Sequence, residues 1–240
     1  MESENPISVR ALQEFCKFKF YPNNNSKKHF VFLPSMRYKV LKEKRQSDGY
    51  FPRLKWHRKI QSNYNVLYIA DPFEDHSLYK GIGGSWFVSP EGYSTIPKLA
   101  KYLEEIADEL EVERIIVWGS SMGGYVSAVL SSFLKKCAAI SECPQLYLDR
   151  HPKSRQVLGA VGNVDATQLS AEQLVKDGIN ARIIGGYEES LNISFLINIS
   201  DDHFVKHVQP FMDFLIKGAG FSGMNIRRDI RLFGYHDDRI

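Results

Sequence analysis

Apolar positions follow two rhythms along this chain. From Thr95 onward, Ile96, Leu99, Leu103, Ile106 and Leu110 recur at three- and four-residue spacing. That spacing predicts a helix with one buried face and Thr95 as its cap. Elsewhere the apolar residues come in short runs. "NVLYIADP", "RIIVWG", "CAAISEC", "NISFLINIS" and "IRRDIRLFGYHDD" read as strands, and "FCKFKFY" and "HFVFLPS" as two shorter ones around the turn "YPNNNSKK". Helices are predicted over "FPRLKWHRKI", "GGYVSAVLSSFLKK" and "FVKHVQPFMDFLIKGAG", with two or three small ones over residues 151–186. The glycine-rich "GIGGSW" reads as part of a long flexible loop. Strands alternating with helices imply an α/β protein with a mostly parallel central sheet, helices on both faces, and its chemistry at the carboxyl ends of the strands. The 240 residues fit a single domain spanning 1–240, with 144–190 inserted in it as a small helical lid.

Composition narrows the function classes. An apolar share of 43% and a charged share of 25% are those of an ordinary soluble protein. A net charge of +3 does not call for a polyanionic partner. Basic clusters at Lys42–Arg45, at Arg53–Lys59 and at Arg227, Arg228 and Arg231 read as solvated faces, and no nucleic-acid module is visible. The three cysteines, Cys16, Cys137 and Cys143, are an odd number without metal-ligand spacing, which suits a reducing compartment. The first ten residues lack the apolar core of a signal peptide, and no run approaches the ~18 apolar residues that suggest a membrane span. The expected location is the cytoplasm.

The candidate chemistry begins at "IIVWGSSMGGYVSAVL", residues 115–130. Gly119-Ser120-Ser121-Met122-Gly123 matches G-x-S-x-G, with an apolar strand before it and a helix after it. This is the setting of a nucleophile elbow, a strained turn that lifts a serine hydroxyl clear of the sheet. The flanking positions crowd the neighbouring strand and helix, so only glycine fits there. The helix start aims N–H groups at the space above Ser121, where an oxyanion would develop.

A serine hydroxyl needs a base, and the base needs a carboxylate to hold it. Of the four histidines after Ser121, His236 follows the last apolar strand and therefore lies at the same edge of the sheet. The strand "NISFLINIS" ends in Asp201-Asp202, whose side chains point apart. Asp202 is the first choice for the acid and Asp201 the alternative. Asp202, His203 and His207 could also be read as metal ligands, but no third ligand is obvious and no metal is expected. The oxyanion donors would be the N–H of Met122 and an N–H from the loop after "HFVFLPS". Pro34 has none to give, so Ser35 is favoured over Met36. Trp86 and Tyr125 are candidates to line a sugar or acyl pocket.

These motifs resemble the α/β-hydrolase superfamily of serine esterases and acyltransferases over residues 29–240. "GSSMGG", "SDDHF" and "GYHDD" are also similar to bacterial capsular polysaccharide O-acetyltransferases of that fold. The resemblance implies an acyl-enzyme on Ser121, formed from a small-molecule or carbohydrate ester without a cofactor. If the enzyme is a transferase, acetyl-CoA is the co-substrate and a sugar hydroxyl the acceptor. A non-catalytic binding protein of the same fold is the third reading. Pro34-Ser35 stands where family members often carry His-Gly.

Overall fold

The computed structural model describes residues 6–37, 49–162, 164–186, 191–217 and 228–235. The short apolar runs form seven strands: β1 (Phe18–Tyr21), β2 (Lys28–Phe32), β3 (Asn65–Ile69), β4 (Arg114–Ser120), β5 (Cys137–Glu142), β6 (Leu191–Asn198) and β7 (Arg228–Tyr235). They make one sheet in the order β1-β3-β2-β4-β5-β6-β7. β1 runs antiparallel to β3, and the other five pairings are parallel. β1 and β2 flank one short turn but do not pair. Both edges of β2 are taken by parallel neighbours, since Phe30 lies between Val66 and Ile116.

Seven α-helices accompany the described strands: α1 (Ile7–Ala11), α2 (His57–Ile60), α3 (Ile96–Glu109), α4 (Met122–Phe133), α5 (Pro152–Ala160), α6 (Ala171–Ile184) and α7 (Gln209–Lys217). α1 was not evident in the sequence, and α7 is preceded by a π-helical turn over Phe204–Val208. Thr95 precedes α3 as expected but does not cap it. Its hydroxyl donates instead to the Phe87 carbonyl (2.8 Å), tying the helix to the glycine-rich loop.

The sheet has two unequal faces. One buries Val31, Val117, Phe195 and Ile197 with Leu99, Leu103, Val126 and Val129 of α3 and α4. The other buries a smaller cluster, Phe30, Phe32, Val66 and Tyr68, with Trp118 and Leu54 packed against it. Further along that second face Ala138, Ile140 and Leu196 are only half-buried. Part of the expected lid belongs to the helical layer rather than above it. A Cβ on Gly178 of α6 would stand 2.2 Å from Ser132 Oγ of α4, so the two helices touch closely.

His29 of β2 is buried in this fold, and burial lowers its pKa to about 4. An imidazole depressed from about 6.5 contributes stability above pH 6.5 that is lost as the pH falls through the folded value. Unfolding measured between pH 7 and 4 is therefore expected to lose about 3 kcal/mol from this residue, at 1.36 kcal/mol per pH unit. His29→Phe should flatten that part of the profile.

Candidate active site

Ser121 stands at the junction of β4 and α4 with φ 57° and ψ −113°. For a non-glycine residue that backbone costs about 1–3 kcal/mol and persists only where its surroundings hold it. Here its N–H donates to the Glu142 carbonyl (2.9 Å), and its carbonyl accepts from Tyr125 N–H (3.2 Å) and Gln145 N–H (3.3 Å). The side chain is half-exposed.

The glycines around it are required by close approach. A Cβ on Gly119 would lie 2.1 Å from the Gly123 carbonyl oxygen, and one on Gly123 would lie 2.6 Å from the Pro34 carbonyl oxygen. Gly124 meets the Glu142 carbonyl in the same way, at 2.9 Å. The crowding inferred from the sequence is thus real, and it identifies the elements concerned: the loop after β2, the start of α4 and the end of β5.

That geometry brings two of the expected oxyanion residues near each other. Met122 opens α4, where the first N–H groups have no helical carbonyl to bond. Ser35 follows the Pro34 carbonyl that faces Gly123, in a loop held at one end by Leu33 N–H to the Trp118 carbonyl (2.8 Å). At the other end Arg37 N–H donates to the Gly83 carbonyl (2.8 Å).

The glycine-rich loop is pinned rather than loose. Asp71, just beyond β3, is buried and accepts from Ser85 N–H (2.6 Å), Ser85 Oγ (2.5 Å) and Phe73 N–H (3.0 Å). Burial pushes its carboxyl up, and the Ser85 and Phe73 donors oppose that. The clamp holds Gly84 and Trp86 against the elbow. A Cβ on Gly84 would stand 2.5 Å from Met122 Sδ, and Trp86 N–H approaches the same sulfur at 3.3 Å. Trp86 and Phe87 both have positive φ, 54° and 58°, and both are fully buried. The sequence offered one signal for this arrangement, an aspartate at the carboxyl end of a buried strand.

Of the two residues expected to line a pocket, Trp86 lies in this loop, its ring 6.1 Å from that of His151. Tyr125 is fully buried, and its hydroxyl donates to the Leu169 carbonyl (2.8 Å). A groove of about 320 Å³ lies beside Tyr147, lined also by Glu172, Gln173 and Lys176; Ser121 does not line it.

The two aspartates after β6 differ in surroundings. Asp202 is exposed and bonds to Lys206 Nζ, four residues on. Asp201 is half-buried and accepts from the N–H of His203 (2.9 Å) and from its Nδ1 (2.6 Å). Burial would raise the Asp201 carboxyl, but the His203 contacts hold it below the usual range. His236 lies outside the described residues.

Three other histidines gather here. The His151 and His203 rings are 5.9 Å apart, and those of His203 and His207 are 5.6 Å apart. Burial and neighbouring positive charge lower His151 to about 4 and His207 to about 3. His207 Nδ1 accepts from Tyr147 N–H, and His151 Nδ1 caps α5 by accepting from Lys153 N–H. Both rings are thus neutral with their proton on Nε2. Among the described residues no group of three or more His, Cys, Asp or Glu side chains is arranged to hold a metal ion, and no helix is long and apolar enough to cross a membrane.

No family model matches the chain, and no curated protein matches it by sequence. Solved structures do. The capsule O-acetyltransferase of Neisseria meningitidis serogroup A superposes with a TM-score of 0.56 at 18% identity, over 92% of this chain and 85% of that one. An esterase of Pyrococcus furiosus superposes at 0.53 with 17% identity, over 90% and 75%. A chain of the glycosylation-associated protein (Gap123) complex of Streptococcus agalactiae reaches 0.54 at 18% identity over 92% of this chain, which spans only 41% of that longer one. The chain has the α/β-hydrolase fold.

In the α/β-hydrolase sheet of this protein, the carboxyl ends of β2, β3 and β4 converge on Ser121 through the loops just described. Gly123→Ala should drive the Ser35 loop away from α4 and cost about 1–3 kcal/mol, read as a fall in thermal midpoint. Asp71→Asn should cost about 1–3 kcal/mol by setting an amide N–H against a buried donor. Hydrogen exchange should then show faster opening of residues 83–87.

Proposed function

We propose that this protein is a serine esterase acting on small acyl or acetyl esters through an acyl-enzyme on Ser121. The observation that carries the reading is the strained, half-exposed serine at the start of α4. Strained backbone of this kind clusters at functional sites, and here it presents a partly exposed hydroxyl on a strand-to-helix turn between glycines. Ser121 Oγ attacks the ester carbonyl carbon while His236 takes its proton. The oxyanion is met by the N–H groups of Met122 and Ser35. The tetrahedral species collapses as the leaving alcohol takes the proton from His236, and water then repeats the sequence on the acyl-enzyme to release the acid.

The acid that orients His236 comes from the Asp201–Asp202 pair. Chain position favours Asp202, whereas partial burial and a lowered pKa support Asp201. The two variants separate them. Asp→Asn at the true acid should lower kcat by orders of magnitude, because the histidine then takes the wrong tautomer. The same change at its neighbour should leave kcat within a few-fold.

A second reading is acetyl transfer from acetyl-CoA to a polysaccharide hydroxyl by the same residues. Its support is the structural likeness to a capsule O-acetyltransferase, one structure of which contains CoA. The groove beside Tyr147, with its mixed polar lining, is the kind of surface a sugar acceptor would use. Segment 144–170 would serve as the lid in either case. Transfer predicts that labelled acetyl from acetyl-CoA appears on a glycan; hydrolysis predicts that it appears only in free acetate.

Ser121→Ala is expected to remove p-nitrophenyl acetate turnover and the burst of p-nitrophenol that marks acylation, with a loss of at least about a thousandfold. Retention of both would refute the proposal. Trp86→Ala should leave acetate esters as substrates and improve those with longer acyl chains, because Trp86 is fully buried in the loop that packs on Met122 and its indole fills space that a longer chain would need.

A further inference from the structure

We infer that Arg37 is a positioning residue for catalysis, fixing where the Ser35 N–H stands relative to Ser121 through an ion pair with Glu74. The inference rests on the reading of Ser121 as nucleophile and Ser35 as oxyanion donor. An oxyanion donor has to be free of other partners and yet held in one direction. Among the described residues nothing is bonded to the N–H of Ser35 or of Met36, so the first condition is met. The same freedom means that no backbone bond of its own sets the direction of the Ser35 amide. The two ends of the loop must set it.

One end is part of the sheet, where Leu33 N–H bonds to the Trp118 carbonyl of β4. The other end is Arg37. Its N–H donates to the Gly83 carbonyl (2.8 Å), and Gly83 lies so close that a Cβ there would stand 2.5 Å from the Arg37 carbonyl oxygen. That contact joins one loop to another loop and gives neither a fixed support. The Arg37 side chain supplies the support. Its Nη2 meets Glu74 Oε2 at 2.9 Å, and its guanidinium lies 5.3 Å from the centre of the Tyr50 ring.

Glu74 is a firm anchor. Its side chain is 8% exposed, and its N–H donates to the carbonyl of Asp71 just beyond β3 (3.2 Å). Oε2 also accepts from Tyr50 N–H (3.2 Å), and Oε1 faces Lys17 Nζ at 3.6 Å. Burial pushes the Glu74 carboxyl up, and the Arg37 charge opposes that. Removing either partner would leave the other charge half-buried or buried without its counter-charge, so the pair is under strong pressure to stay formed. The line of support runs from the end of β3 through Asp71 and Glu74 to Arg37, two residues from Ser35. The same Asp71 holds the glycine-rich loop through Ser85, so both loops beside the elbow are referred to one strand end.

The test is steady-state hydrolysis of p-nitrophenyl acetate. Arg37→Met keeps the stem that packs on Tyr50 and removes the charge. It is expected to lower kcat by about 10- to 100-fold with KM within about threefold, since a displaced donor is lost mainly to the transition state. Glu74→Gln should do the same, and the double variant should be no worse than either single one, because both break one link. Lys17→Ala, which removes the other cation facing Glu74, should stay within about threefold of wild type. The preference for an ester over its thiono analogue, in which sulfur replaces the carbonyl oxygen, should fall in Arg37→Met and Glu74→Gln. That ratio does not depend on the fraction of protein folded, so a merely structural role would not move it. A full kcat in Arg37→Met, a loss carried by KM, an unchanged ester-to-thiono ratio, or an equal loss in Lys17→Ala overturns the inference alone. A wild-type protein with no Ser121-dependent turnover overturns the reading of Ser121, and the inference with it.

Discussion

The close contact between the end of β4 and the start of α4 is what the site depends on. With hydrogen in place of Cβ at Gly119, Gly123 and Gly124, three other pieces of chain can reach one turn: the Pro34 carbonyl, the Glu142 carbonyl and the loop beyond it. Any larger side chain at those positions would push one of them away. The turn can then hold Ser121 in its unfavourable conformation, because the backbone groups of Ser121 bond to Glu142, Tyr125 and Gln145. The strain is held by contacts that also bring the β2 and β5 ends to Ser121. Stability and site geometry are therefore one problem at this point in the sheet.

The rest of the site is arranged around that turn by groups of different legibility. The strands and the elbow could be read directly, since unbroken apolar runs and a G-x-S-x-G turn are local features of sequence. The sheet order could not. Nothing in "FCKFKFY" says that it will pair with residues of β3 rather than with its neighbour β2. The glycine-rich loop misled for a similar reason. Glycines suggest freedom, but here they allow close packing on Met122, and Asp71 holds the loop from fourteen residues away through Ser85. Thr95 was read as a local cap, yet its hydroxyl found a better acceptor at Phe87. The aspartate pair shows the limit from another side. Consecutive residues do point apart, as expected, but which of them turns inward depends on the turn after β6, and His236, which would decide between them, lies outside the described residues.

Electrostatics near the site is local. A net charge of +3 has little reach, and exposed charges are screened within about 10 Å at ordinary ionic strength. Ser121 adjoins the N-terminus of α4, whose first N–H groups have no helical carbonyl to bond, while His151 and His207, in the loops and turn after β5 and β6, are kept neutral largely by burial. His151 and His207 present Nε2–H donors, since their Nδ1 atoms are engaged with the backbone. His203 differs, because its Nδ1 faces Asp201. His151 and His207 thus offer two N–H donors from neutral rings, a suitable lining for a polar, uncharged group such as a hydroxyl.

Under the proposed mechanism, the distinction between hydrolysis and transfer lies outside the proposed triad. In that mechanism either acceptor would attack the same acyl carbon with help from the same base, so the acyl-enzyme would be common to both reactions. What differs is how long water is excluded and whether another hydroxyl is already held in place. In the proposed reaction those properties would belong to the segments that adjoin Ser121: the paired loops joined at Arg37 and Gly83, and the chain that begins at Pro144, where Gln145 N–H bonds to the Ser121 carbonyl. A fold that holds Ser121 among crowded glycines has little freedom to vary the turn itself. Its variation must come from these covering segments, and it is there that an esterase and an acetyltransferase of the same architecture would diverge.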